Sequence, residues 1–499
     1  MASGQSVLRR GGAGGDPFAR ALTRRAASRR SLLQQAPTLM AGGLAAGACL
    51  PGRGGGEKIA RGQSTREVTI RWSTWGDEKN TFNTQAAPQG VRLFNEAFPQ
   101  IKVVIEPQLA DWQLKNQTEW VAGTGPDISG HFGYWGVQWA RDGLFWNMEQ
   151  AVKRDIPQRI RDDYVEWLIK FFAAPETGQF ALPMYSGTIA LFFNKQIFQR
   201  KGVPFPDDGW DWARYRDAAI KLNEAKPDFS PDGARGGEAQ PVVFGLRQVR
   251  TYDRIQQRLH QSGGHYVDPK DDRRCVLETP NALRALQFER DANLKDKYTG
   301  HEDGYTSLRG LDYWRALSAQ RFAMWEEGSF ALVRLVTLVE RDVVPNWDVA
   351  PLPRGPAGRA TLATNDGWSI WKGSKAIDEA WEFVKFLQGD EWTAINARAT
   401  GQQPARKSFQ ERWVRFVKEG NPLLADKNLR PFTDAIHQNY ARPVEVFRRH
   451  RQSVAIIDTL LHEAVYGAES SSAIKNGAKA LDAAVADAVR RINDLNSRA

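Results

Sequence analysis

A chain of 499 residues with 41% hydrophobic content holds more apolar material than one ordinary core uses and predicts about two domains. Its formal charge of +10 comes from 68 basic and 58 acidic residues and raises nucleic acid or an anionic membrane as partners. Ten of the basic residues lie in the first 65 positions against only Asp16 and Glu57, and the rest of the chain carries +2. The basicity therefore belongs mainly to a leader, which argues against a nucleic-acid-binding body.

The leader reads as an export signal. Ser28 to Gln35, SRRSLLQQ, resembles the twin-arginine motif, with Leu32 where Phe is usual and Gln34 where Lys is usual. The Ala/Gly run from Ala36 to Ala48 that follows is too short to span a bilayer. AAGAC resembles a bacterial lipobox, which would make Cys49 a lipidated first residue. Ala46 stands where Leu is usual, and the alternative is cleavage after Ala48 with Cys49 incidental. The only other cysteine, Cys275, has no nearby His to activate it and reads as a packed small hydrophobe. Residues 1–48 are thus an export segment and 49–65 a Gly-rich tether.

Structure is predicted to begin at REVTIRWSTWG, where Val68, Ile70 and Trp72 alternate with Thr69 and Arg71 as in a strand. A helix through GVRLFNEAF, a strand at IKVVIEP, a helix through DWQLKNQTEWVA with Gly123 as its C-cap, and a third strand after GTGPDIS follow. That alternation is the pattern of an α/β sheet with right-handed crossovers. LPMYSGTIALFFNK, Leu182 to Lys195, is apolar at both ends, but Tyr185 to Thr188 interrupts it with polar groups and a glycine. It reads either as a hairpin or as a passage from one sheet to another. Further on, DWARYRDAAIKLNEA is a helix, PVVFGL a strand, and ETPNALRALQFERDANLKD a helix with a Thr279 cap and Pro280 in its first turn. FAMWEEGSFALVRLV reads as strand, loop, helix, and NWDVAPLP as a strand stopped by prolines. The closing third is mostly helical. Ala380, Trp381, Val384 and Leu387 share one stripe, as do Leu481, Val485, Ala488, Ile492 and Leu495.

Nine phrases in order, from VTIRWSTWG through FNEAFPQIKVVIE, GTGPDIS, FALPMYSGTIALFFNK and FAMWEEGSFAL to WDVAPLP, NDGWSIWKGS, AWEFVKFL and GQQPARKS, give the mature chain its character. In these it resembles the extracytoplasmic solute-binding proteins of ABC importers, in the sugar-binding group that includes maltose-binding protein. The resemblance implies a two-lobed, type II periplasmic-binding fold, each lobe a mixed sheet flanked by helices, with ligand in the cleft and closure by a hinge motion. On that template the chain crosses near Tyr185 to Thr188, returns near Asn365 to Ser369, and crosses a third time near 436–445. One lobe would combine 66–186 with 368–435 and the other 187–367 with 436–499. The implied partners are a small-molecule carbohydrate and the transmembrane permease subunits. The protein is expected as a monomer in the periplasm or cell envelope, without a cofactor or enzymatic turnover.

A sugar presents C–H faces that stack on aromatic rings and hydroxyls that need oriented acceptors and donors. Trp75 and Asp77 follow the first strand, where ligands bind in open α/β sheets; they could equally cap a core and a helix. Tyr185 lies at the first crossing, and Asp366 and Trp368 at the return. Trp325 and Glu326 precede Gly328-Ser329 on the family's second wall, although core packing and helix capping are their bland readings. Arg406 in PARKS resembles a cleft-facing arginine of relatives, or else an interlobe ion pair. Trp135 and Trp139 stand i, i+4 on a helix; one should be core, which leaves Trp135 a candidate. Asp127 reads as a structural turn residue.

Two rivals remain. Glycerol phosphates or sugar phosphates would be gripped by Arg247, Arg250 or Arg406. An exported glycan-processing enzyme would need two facing carboxylates from Asp77, Glu326 and Asp366. Metal chemistry has little support in the linear sequence: His462 to Tyr466, HEAVY, lacks the second histidine of a zinc protease motif, and the seven histidines are scattered. Gly264 to Arg274, GHYVDPKDDRR, lacks calcium-loop spacing and reads as a solvated loop.

Overall fold

The computed structural model describes residues 67–74, 76, 81–108, 111–224, 243–247, 249–300, 313–339, 346–466 and 480–498. Ten strands among them form one sheet: β1 Val68–Thr74, β2 Ile101–Pro107, β3 Ile128–Phe132, β4 Leu182–Asn194, β5 Phe244–Arg247, β6 Thr299–Gly300, β7 Phe322–Gly328, β8 Trp347–Ala350, β9 Thr361–Ile370 and β10 Ala441–Pro443. In β1, Ile70 and Trp72 point inward and are fully buried. β2 and β3 flank it in parallel, with Ile70 opposite Val103 and Trp72 opposite Ile128. The Ala87–Ala97 and Trp112–Val121 helices make the two crossovers, as the sequence predicts.

The interrupted run is a single strand. β4 is thirteen residues long and buried throughout. From Leu182 to Thr188 it pairs antiparallel with β9. From Ile189 to Phe193 it pairs with β7, and from Leu191 to Asn194 with β8 on its other edge. It therefore belongs to two halves of the sheet, β2-β1-β3-β9 on one side and β7-β5-β6 with β8 on the other. The hairpin reading fails because no turn occurs at Tyr185 to Thr188; those polar residues occupy the strand where it passes between halves.

Alternation along β4 then builds two cores. Ile189, Leu191 and Phe193 enter a cluster with Leu259, Leu286, Ile457 and Ile492. Ala190 and Phe192 enter another with Trp325, Trp347, Trp413 and Phe432. A third cluster gathers Ile70, Trp72, Phe94, Leu182, Trp368 and Phe383 around the first half. The predicted stripe of the Ile377–Phe386 helix is buried there, and that of Leu481–Ser497 is buried against the second half, with Leu495 half-exposed at its end.

Thr279 stands at the N-cap of the Pro280–Arg290 helix with Pro280 in the first turn, as expected, although its side chain makes no cap bond. Ala397, Phe409, Trp413, Phe416, Leu429 and Phe432 pack in one cluster with Ala190 and Phe192 of the second half, while Ala405, Ile436 and Val446 pack with the first-half cluster. The apolar stripes of the Gln410–Gly420 and Arg430–His437 helices mark which face is buried, and helical periodicity does not say against which sheet.

Candidate functional site

The two halves meet where β4 lies beside β9. Tyr185 stands opposite Asp366, Ser186 opposite Asn365 and Gly187 opposite Thr364, and the register slips between Asp366 and Gly367. The Tyr185 hydroxyl donates to Asp366 Oδ2 at 2.8 Å, and the Gly133 N–H donates to the same carboxylate. Both residues are buried, at 3% and 2% exposure. Burial pushes the Asp366 carboxyl up to about 7, against the opposing pull of those two donors. It also raises the Tyr185 phenol well above its usual range, with the Asp366 charge adding to the effect. Gly133 is required here by space, since a Cβ would sit 2.2 Å from the Asn365 carbonyl oxygen.

The back of this crossing is fixed by Gln403. Its side-chain oxygen accepts from the Thr188 N–H at 3.2 Å and hydroxyl at 3.0 Å, and its carbonyl accepts from the Ser186 N–H at 2.9 Å. Ser186 Oγ and both polar side-chain atoms of Asn365 are buried with no hydrogen-bond partner among the described residues.

The Gly133–Arg141 helix leads away from the crossing and carries Tyr134 and Trp135, both half-buried. Across from it lie helices of the second half. The Tyr134 ring is 5.4 Å from that of His450, and Arg451 lies over the Trp135 ring at 4.3 Å. Burial, with the charges of Asp253, Asp366 and Asp458 adding to it, holds the Tyr134 phenol well above its usual range. Arg254 reaches Glu327 at 2.6 Å and Arg247 stands 3.8 Å from the same carboxylate. Ion pairs cross the halves further out: Arg141 meets Asp272 at 2.7 Å, and Arg448 meets Glu176 at 2.9 Å. The junction thus combines two tyrosines and a tryptophan with four carboxylates and three arginines, and each arginine faces a carboxylate or a ring.

Of the residues expected at the site, the structure brings Tyr185, Asp366 and Trp135 to this junction. Trp139, the partner of Trp135, is 1% exposed and is core. Trp75, Asp77 and Cys49 lie outside the described residues. Four others have interior partners. Trp325 stacks on Phe192 at 5.6 Å and 18°, and Trp368 is fully buried against Trp72 and Phe82. Glu326 accepts from the Tyr215 hydroxyl at 2.7 Å, from Gln257 at 2.5 Å and from Arg258. Arg406 pairs with Asp390, lies 3.6 Å from Asp163 and covers the Phe409 ring at 4.3 Å. Trp325 and Trp368 match the packing reading and Arg406 the ion-pair reading, whereas Glu326 lies within β7 and caps no helix. Asp127 is structural as expected, accepting from the Arg71 N–H at 2.8 Å and the Ser374 hydroxyl at 2.6 Å. Cys275 is 1% exposed, and burial pushes its thiol up to about 12.

The family model of the bacterial extracellular solute-binding proteins matches residues 75–394. The chain belongs to that family. Solved structures show the same two-lobed, type II periplasmic-binding fold. An ABC substrate-binding protein from Listeria monocytogenes in complex with cycloalternan has a TM-score of 0.68 at 18% identity, over 86% of this chain and 99% of that one. The sugar-binding protein MalE from Xanthomonas citri has a TM-score of 0.65 at 17% identity, over 86% and 98%. UgpB from Mycobacterium tuberculosis in complex with glycerophosphocholine has a TM-score of 0.65 at 17%, over 86% and 99%. No helix among the described residues of this solute-binding protein is long and apolar enough to cross a membrane.

Sequence reasoning missed Tyr134, Asp253, Arg254, Glu327, Thr364 and Arg451. Tyr134 had a usable signal, since it adjoins Trp135 on a helix already singled out. Arg254 and Arg451 lie 119 and 316 residues from Trp135 in the chain, and only the fold brings Arg451 over its ring and Arg254 to Glu327.

Proposed function

We propose that this solute-binding protein captures a neutral carbohydrate between its two lobes and delivers it to an ABC permease by hinge closure. In this reading the lobes are 66–186 with 368–396, and 187–367 with 397–499, and the hinge is the antiparallel passage of β4 beside β9. Trp135, Tyr134 and Tyr185 supply ring faces for the sugar. Asp366, Asp253 and Glu327 supply hydroxyl acceptors, and Arg254 and Arg451 donors. Trp75 and Asp77, which follow β1 in the sequence, are further proposed sugar contacts. The unpartnered Ser186 and Asn365 side chains lie at the hinge, where closure and ligand hydroxyls can change their partners.

The observation that carries the reading is the Tyr185–Asp366 pair at the point where the halves meet, with aromatic rings on one side and charged helix residues on the other. Arg254 and Arg247 meeting Glu327, and Arg451 covering Trp135, favour a neutral ligand over an anion. The second reading, a glycerol phosphodiester, is favoured by the likeness to the glycerophosphocholine complex. Turnover is disfavoured because Glu326 already accepts from Tyr215, Gln257 and Arg258 and is not placed as a free acid or base. The leader fits twin-arginine export, with lipidation at Cys49 tethering the monomer to the cell envelope.

Calorimetry with neutral oligosaccharides and glycerophosphodiesters decides between the readings. Binding of a neutral oligosaccharide that weakens in Trp135→Ala supports the first. Binding of the phosphodiesters alone replaces it with the second, and release of reducing ends would overturn both.

A further inference from the structure

His260 lies near the end of the Tyr252–Ser262 helix, and His265 follows the left-handed Gly263 that stops it. Glu445 lies two residues beyond β10, some 180 positions away in the chain. Its Oε1 accepts from both histidines, His260 Nε2 at 2.7 Å and His265 Nδ1 at 2.5 Å. The three candidate ligand atoms lie within 4.8 Å of one another.

We infer that His260, His265 and Glu445 form a binding site for a divalent transition metal of the zinc class, separate from the carbohydrate junction. Two imidazoles and one carboxylate are a donor set that suits zinc and disfavours calcium and magnesium, which take oxygen ligands. Three protein ligands leave a fourth position for water. Ligand bonds of about 2.0–2.2 Å in a tetrahedron place donor atoms roughly 3.3 Å apart. The two N–O separations therefore need to open by only roughly 0.6–0.8 Å.

The surroundings orient the carboxylate for this role. Glu445 Oε2 accepts from the backbone N–H groups of Tyr266 at 2.7 Å and Val267 at 2.9 Å, and its own N–H donates to Gln256 at 2.7 Å. Oε1 is thereby aimed at the imidazoles, the part that outer hydrogen bonds play at metal sites. The His260 side chain is 7% exposed, and its Nδ1 is buried without a hydrogen-bond partner among the described residues. Access is through an adjoining surface depression of about 690 Å³, lined also by Asp268, Asp271 and Arg442. Entry of the ion moves the protons facing Oε1 to the far ring nitrogens or to water, so that two bare imidazole nitrogens and the carboxylate face the metal.

The test is a Zn²⁺ titration of the tag-free full chain in competition with a chromophoric chelator at neutral pH. The expected result is one equivalent bound, weakened about tenfold or more in His265→Gln. Co²⁺ should give tetrahedral absorption bands in the wild type that are lost in the same variant. His265 is 39% exposed in its side chain, so its replacement leaves the core intact; His260→Gln, with folding checked by circular dichroism, should behave alike. Equal zinc affinity of His265→Gln and the wild type, or no uptake by the wild type, would overturn the inference. It would then leave a purely structural cluster pinning Glu445. Failure to bind sugar has no bearing on either outcome.

Discussion

Asp366→Asn should change how stability depends on pH. The carboxyl is pushed up to about 7 in the folded protein from an ordinary 3.8, so between those values the folded chain binds a proton that the unfolded chain has released. This contribution is fully present below about 4 and is lost as pH rises through about 7. A displacement of about three units corresponds to an upper value on the order of 4 kcal/mol. His131 and His450 act in the opposite sense. Burial lowers them to about 4 and about 3, so they add stability as pH rises toward the usual histidine range. Because they are common to both proteins, the informative quantity is the difference between wild type and Asp366→Asn. Urea unfolding at about pH 4.5 and about pH 8 measures it. The variant should gain on the wild type by several kcal/mol over that span, since asparagine keeps the shape and carries no charge to bury. Parallel pH profiles for the two proteins would refute the buried, protonatable Asp366.

The remaining predictions follow from the same contacts. Trp368→Ala should destabilise by about 3–5 kcal/mol, through the cavity left beside Trp72 and Phe82; urea unfolding checks it, and an unchanged midpoint with weakened sugar binding would place the ring at the ligand instead. Arg406→Ala should cost about 1–2 kcal/mol, less than a wholly buried pair because Asp390 is 45% exposed, and leave ligand affinity unchanged by calorimetry. Trp135→Ala should lower sugar affinity by roughly 1–3 kcal/mol while the circular dichroism spectrum persists, since the ring is only half-buried. Tyr185→Phe removes a donor to Asp366, which should cost about 1 kcal/mol and raise the pH at which the carboxyl ionises, measurable by the same unfolding profiles.

The first half of the fold was legible because β1 and β2 alternate apolar and polar residues at their starts and the strand, helix, strand order repeats along the chain. The passage at Tyr185 to Thr188 was also legible, since polar residues inside an apolar run needed a reason. The stripe of Trp413, Phe416 and Val417 marks a buried face but does not say which sheet covers it, and the fold packs it in the cluster that holds Phe192. The meeting of Tyr185 and Asp366 at the junction could be found from their places at the two crossings. Trp325 and Trp368 could not be sorted from ligand contacts, because a tryptophan on a strand end looks the same whether protein or sugar covers it. Trp368 is covered by Trp72, 296 residues away. The meeting of His260 and His265 with Glu445 is likewise a product of tertiary folding, invisible in a chain whose histidines look scattered.

The most direct test is a crystal structure of the full chain grown with the oligosaccharide that binds best in calorimetry. The account predicts the sugar at the passage of β4 beside β9, with a ring stacked on Trp135 and hydroxyls within hydrogen-bond distance of Asp366 and Tyr185. A sugar bound elsewhere, with the Tyr185–Asp366 pair intact and untouched by the ligand, would contradict it.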